Sequence, residues 1–143
     1  MSRLVETTRH IEAPTDRVWD VLFDVAHWPD WTPTIASVQR LEDGPFQVGS
    51  RAAVRQPKLP LATWEVTEVV DGRSFTWEAT GPGVRTIARH QVVPDGSGST
   101  LTLSIEQTGP MGAVLALIWS RLTQYYIELE AESLDKRVTG ATA

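Results

Sequence analysis

His90 lies in the run "VRTIARHQVV", residues 84–93, on the even-numbered side with Val84, Thr86, Ala88 and Val92. Successive side chains of a β-strand face opposite ways. The even side is the less polar, so it is expected to face inward, with Ile87 as the exception on the other side. An imidazole titrates near neutrality and can serve as a general acid or base. Burial would depress its pKa and leave it neutral at pH 7. Glu68, in "TWEVTEVV", is the second candidate, although Val69 beside it leaves the phase of that strand open. Each has a plainer reading: a histidine hydrogen-bonded in a wall, and a glutamate at the surface.

Other chemistries lack their residues. His10, His27 and His90 have no metal-ligand spacing, and the chain has no cysteine, so neither a metal nor a thiol nucleophile is expected. The glycines of "DGSGS" are followed by no helix and read as a turn rather than a phosphate loop. No cofactor is expected. Six tryptophans in 143 residues are many. Such large flat side chains serve as core filling or as walls for an apolar ligand. Trp28, Trp64, Phe75, Trp77, His90, Leu103, Gln107, Trp119, Leu122 and Tyr126 are the expected ligand-binding set. Trp31 is expected to pin the connector "HWPDW" instead. Tyr125 and Tyr126 cannot both face inward.

These side chains need elements to hold them. Residues 3–12 alternate as a strand, and "APTDRVWDVLFDV" reads as a helix with Pro14 early and Thr15 or Asp16 as cap. That helix should end before Pro29. Six turn-separated strands follow, at 35–42, 49–56, 62–70, 74–80, 84–93 and 99–108. Their short links, "DGRS" and "PDGSGS" among them, predict an antiparallel meander. In the expected register one row reads Val70, Phe75, His90 and Leu103. The next reads Glu68, Trp77, Ala88 and Ile105, and the third Val66, Ala79, Thr86 and Gln107. Glu68 and His90 then stand about 9–10 Å apart, two strand spacings, too far for a direct dyad but within the span of one substrate. Residues 110–138 read as one long helix with a stripe of Met111, Leu115, Ile118, Leu122, Tyr125 and Leu129, widened by Trp119, Tyr126 and Leu134. So wide a face needs the sheet as its cover. Arg51, Arg55, Arg85 and Arg89 read as a solvated outer face.

The whole chain is expected to form one domain, residues 1–143, with a frayed tail at 140–143. A net charge of −5 disfavours nucleic acid and anionic membrane as partners. No apolar run is long enough to span a bilayer, and the start has no signal-peptide core. With no cysteine, a cytoplasmic location fits. A homodimer is compatible with all of this.

The run "IEAPTDRVWDVLFDVAHWPDWTPTI" resembles the opening of the START-like, helix-grip proteins of the SRPBCC superfamily, in particular the polyketide cyclase/dehydrase and lipid-transport branch. Ile11, Ala13-Pro14, Val18-Trp19, Asp24, Pro29 and Trp31 carry the match. Gly49, "WEV" at 64–66, Ser99-Thr100 and Gly109 extend it along nearly the whole chain. The resemblance implies an α+β helix-grip fold: a seven-stranded antiparallel sheet wrapped around the C-terminal helix, with two short helices between strands 1 and 2. It also implies an apolar cavity between sheet and helix. No catalytic set carries over, because catalytic residues differ between branches.

The function expected is binding of a hydrophobic small molecule, whether lipid, polyketide or aromatic metabolite. The rival is a polyketide aromatase/cyclase in which His90 supplies acid–base chemistry. A regulatory or toxin–antitoxin-type interaction protein on the same scaffold is the third reading. The absence of an acid–base cluster favours the binder. A hydrogen-bonded polar triad in the cavity would favour the enzyme, and a large exposed apolar patch the interaction protein.

Overall fold

The structure is a computed structural model and describes residues 3–140. The element order is β1 (Arg3–Ile11), α1 (Thr15–Phe23), a 3₁₀ turn (Val25–Asp30), β2 (Ser37–Arg40), β3 (Arg51–Arg55), β4 (Ala62–Val70), β5 (Ser74–Gly81), β6 (Val84–Asp95), β7 (Gly98–Thr108) and α2 (Gly112–Thr139). All seven strands join one antiparallel sheet in the order β1-β7-β6-β5-β4-β3-β2. The meander from β2 to β7 follows from its short turns, and β1 closes on β7 across the whole chain. This is the α+β helix-grip architecture, with β2 and β3 shorter than the sequence pattern suggests. Of the expected frayed tail, Gly140 is described and residues 141–143 lie outside the described residues.

α2 lies against β1, β7 and α1. Arg9 on β1 pairs with Asp135 on α2 at 2.8 Å, and the Arg17 guanidinium of α1 donates to the Val138 carbonyl at 2.7 Å. The second contact places a cation at the negative end of the α2 dipole. Gly140 ends α2 in the left-handed conformation, its N–H donating to the Lys136 carbonyl. At the other end of α2, Gly109 turns the chain with φ 96° while a Cβ there would stand 2.7 Å from the Gly83 carbonyl oxygen. Only glycine satisfies both demands.

Three expectations are corrected. Neither Thr15 nor Asp16 caps α1. Pro14 is its N-cap residue and no side chain caps it. The register between β4 and β5 shifts between Val66 and Glu68. This bulge puts two consecutive residues, Thr67 and Glu68, outward. The rows therefore read Val69, Phe75, His90, Leu103 and Val66, Trp77, Ala88, Ile105. Ala79, Thr86 and Gln107 do pair as expected.

The third correction concerns α2. The expected stripe residues Ile118 and Tyr125 are 64% and 59% exposed, and Met111 is exposed as well. Of the expected face Tyr126 and Leu134 are buried, and Ile127, Ala131 and Val138 are buried with them. Relative to the expected stripe the helix is turned by one residue, about 100°. β6, by contrast, alternates as expected: Ala88, His90 and Val92 are buried and face the core, while Arg85, Arg89 and Gln91 are exposed. Ile87 is buried on the outer side, between Glu78 and Glu106 in register. Arg85 pairs there with Glu78 and Arg89 with Glu106.

Candidate functional site

Between the sheet and the middle of α2 the molecule holds a cavity of about 160 Å³, partly open to solvent. An engineered protein cavity of about 150 Å³ takes up benzene, so this space accommodates one aromatic ring. Its walls are Trp28 from the 3₁₀ turn, Trp64 from β4, Trp77 from β5 and Trp119 from α2. Trp64 and Trp77 stack with ring centres 5.6 Å apart, and Trp28 meets Trp77 edge to face at 5.4 Å. Trp28 is fixed by its indole N–H, which donates to the Leu22 carbonyl at 3.0 Å. Leu59 and Pro60 from the β3–β4 loop complete the wall on one side.

His90 enters the cavity from β6. Its ring stacks on Phe75, with centres 4.1 Å apart and planes 10° apart. Nδ1 lies 3.1 Å from the Phe75 carbonyl oxygen. A carbonyl only accepts, so Nδ1 carries the proton and Nε2 keeps a lone pair. Burial lowers the His90 pKa to about 4, the Phe75 carbonyl opposing it weakly. The ring is therefore neutral at pH 7.

The acid in this cavity is Glu130 on α2. The Thr34 hydroxyl donates to its Oε1 at 2.8 Å. The Thr32 and Thr34 hydroxyl oxygens lie 2.9 Å apart, so with the Thr34 proton committed to Glu130, Thr32 is the donor of that pair. Burial pushes the Glu130 carboxyl up to about 7, the Thr34 bond opposing it. Glu130 is half-buried and lines the cavity. Tyr126, one turn before Glu130, is buried and donates a short hydrogen bond to the Pro57 carbonyl, while Tyr125 is exposed. Which tyrosine turns inward is thereby decided.

The ten residues expected to bind ligand divide as follows. Trp28, Trp64, Trp77, His90, Gln107, Trp119 and Tyr126 come together around the cavity. Phe75 is fully buried behind His90 and does not line it. Leu103 borders a separate recess of about 10 Å³ behind Trp28, and Leu122 borders neither space. Glu68, the second acid–base candidate, is exposed on the outer side of the sheet, carried there by the bulge. Glu130 is absent from the expected set because it sits in "IELEAES", where alternating acids read as a solvated face. A signal was present: Glu130 lies four residues from both Tyr126 and Leu134, two residues already placed on the inner face.

The model of the polyketide cyclase/dehydrase and lipid-transport family matches residues 2–139. The chain belongs to this family. Among solved structures it is similar to TTHA0849 of Thermus thermophilus, at 20% identity and a TM-score of 0.76 over 99% of this chain and 100% of that one. It is similar too to norcoclaurine synthase of Thalictrum flavum, solved in complex with dopamine and hydroxybenzaldehyde, at 19% identity and a TM-score of 0.77 over 100% and 90% of the two chains. Major latex-like protein 151 of Panax ginseng superposes with a TM-score of 0.74 at 13% identity, over 96% and 98%. At such identities the likeness is one of fold. No curated protein sequence matches the chain. Among the described residues no helix is long and apolar enough to cross a membrane.

Proposed function

We propose that this protein binds a small aromatic molecule in the cavity between its sheet and α2. The observation that carries the reading is a space of about 160 Å³ with four tryptophans in its walls. That volume suits a single ring and is small for a folded polyketide or a full acyl chain, so within the ligand classes considered the aromatic one is preferred. A cytoplasmic location belongs to the same proposal, supported by a chain without cysteine. Calorimetric titration with toluene tests the reading. A dissociation constant below about 1 mM, equivalent to about −4 kcal/mol, supports it. No heat and no change in tryptophan emission at saturating toluene rejects it.

A second reading, an enzyme of acid–base type, has its own observation. Glu130 and His90 share the cavity, and burial drives their pKa values to about 7 and about 4, away from their ordinary order. Groups pushed apart in this way are what acid–base catalysis uses. His90→Leu separates the two readings. For a binder it leaves toluene affinity within about threefold, and for a cyclase it abolishes turnover while binding persists.

A further inference from the structure

The main cavity and the small recess behind it have three lining residues in common: Trp28, His90 and Glu130. The hydrogen-bond donors around this junction are already committed. His90 Nδ1–H is held by the Phe75 carbonyl, the Trp28 N–H by the Leu22 carbonyl, the Thr34 hydroxyl by Glu130 and the Thr32 hydroxyl by Thr34. His90 Nε2 and the second oxygen of Glu130 have no hydrogen-bond partner among the described residues, and both residues line both spaces together with Trp28. Both atoms are acceptors, and the Trp28 ring is a π-surface that attracts cations.

Among the described residues no cation of the protein answers this arrangement. Burial and the Thr34 hydroxyl alone act on the Glu130 carboxyl, and among the described residues Glu130 has no ion-pair partner. The titratable groups that share the cavity with it are His90 from β6 and Tyr126 from its own helix. Neither supplies positive charge at pH 7, since His90 is neutral there and burial raises the Tyr126 hydroxyl pKa. A buried carboxylate without a cation is costly and takes up a proton instead.

We propose that the Trp28–His90–Glu130 junction is a site for an ammonium group carried by an aromatic ligand. This rests on the reading of the cavity as an aromatic-ligand site. The ammonium N–H groups donate to the free Glu130 oxygen and to His90 Nε2, the Trp28 face takes up further positive charge, and the ring lies among Trp64, Trp77 and Trp119. A hydroxyl in the same place brings one donor for two acceptors. A carboxylate brings none and meets the Glu130 charge. When the ammonium arrives, Glu130 gives up its proton to solvent, because a positive neighbour favours the ionised form.

Isothermal titration of the wild-type protein at pH 7 with 2-phenylethylamine, 2-phenylethanol and toluene tests this, each run in two buffers of different ionisation enthalpy. The amine is expected to bind about tenfold or more tighter than the alcohol. It is also expected to release protons, because burial raises the Glu130 pKa and a bound ammonium lowers it again. Glu130→Gln keeps the size and the Thr34 contact but removes the charge. It should bring amine and alcohol to equal affinity and end the proton release. If toluene and the alcohol bind but the amine binds no tighter, the ammonium site is rejected and the aromatic-ligand reading stands. If none of the three binds, both fall. The ratio of amine to alcohol affinity on wild-type protein decides the matter even if the variant fails to fold.

Discussion

His90 and Glu130 pull the pH dependence of stability in opposite directions. In the fold His90 takes a proton only near pH 4, whereas unfolded it does so near 6.5. The unfolded chain then holds the extra proton, so this residue's contribution weakens as pH falls from 6.5 to 4. Glu130 keeps its proton in the fold up to about pH 7 but loses it near 4.5 when unfolded. Its contribution weakens as pH rises from 4.5 to 7. Each shift corresponds to about 3 kcal/mol. Between pH 4.5 and 6.5 the two slopes nearly cancel. Glu130→Gln should unmask the histidine: relative to wild type, its stability in urea melts should rise by about 2 kcal/mol across that interval. His90→Leu should show the reverse slope. Parallel profiles for wild type and both variants would mean that neither side chain is desolvated as described.

At the scale of elements, α2 is the most informative. The apolar residues Ile118 and Tyr125 made a plausible inner stripe, yet they lie outside with Leu117, which is 75% exposed. The true inner face includes Thr123 and Glu130 because part of it borders a cavity rather than packed side chains. A hydrophobic period identifies the face that fills a core, and it misplaces one that lines a space. Leu134→Ala should therefore cost about 2–5 kcal/mol. Leu117→Gln, one helix face away, should change stability by about 0.5 kcal/mol or less. Equal losses in thermal or urea melts would contradict this helix orientation. The strands were more legible. Alternation placed His90, Ala88 and Val92 correctly, and the turn residues marked each strand from β2 to β7. The bulge at Thr67 was not legible, since no glycine or proline marks it, and it alone sends Glu68 outward. Gly109, legible as a family match, is required for another reason. Gly109→Ala sets a Cβ against the Gly83 carbonyl at positive φ and should cost about 1–3 kcal/mol, seen as a lowered melting temperature with β7 and α2 otherwise intact.

For the whole molecule the fold explains why the cavity exists. The sheet runs seven strands wide, while α2 rests on its β1–β7 side. The middle of the sheet, from β4 to β6, is left to be covered by Trp28, Trp119 and the residues around Tyr126. The aromatic residues span that gap without filling it. The seven lining residues named from sequence come from several separate elements, brought together because alternation fixes the strand faces. What sequence could not convey was the size of the gap, which depends on the tilt of α2 and on the β3–β4 loop held by Tyr126 at Pro57. That size is what supports the proposal of a single-ring ligand.

The indole N–H resonances of the six tryptophans test the central claim most directly. They can be followed in a ¹⁵N-edited NMR titration with toluene. Trp28, Trp64, Trp77 and Trp119 line the cavity, whereas Trp19 packs against Phe23 and Phe75 and does not line it. If the cavity binds an aromatic ring, those four show saturable shifts, all with one dissociation constant, and the Trp19 resonance stays in place. Shifts confined to Trp19, or none at saturating toluene, would contradict that claim.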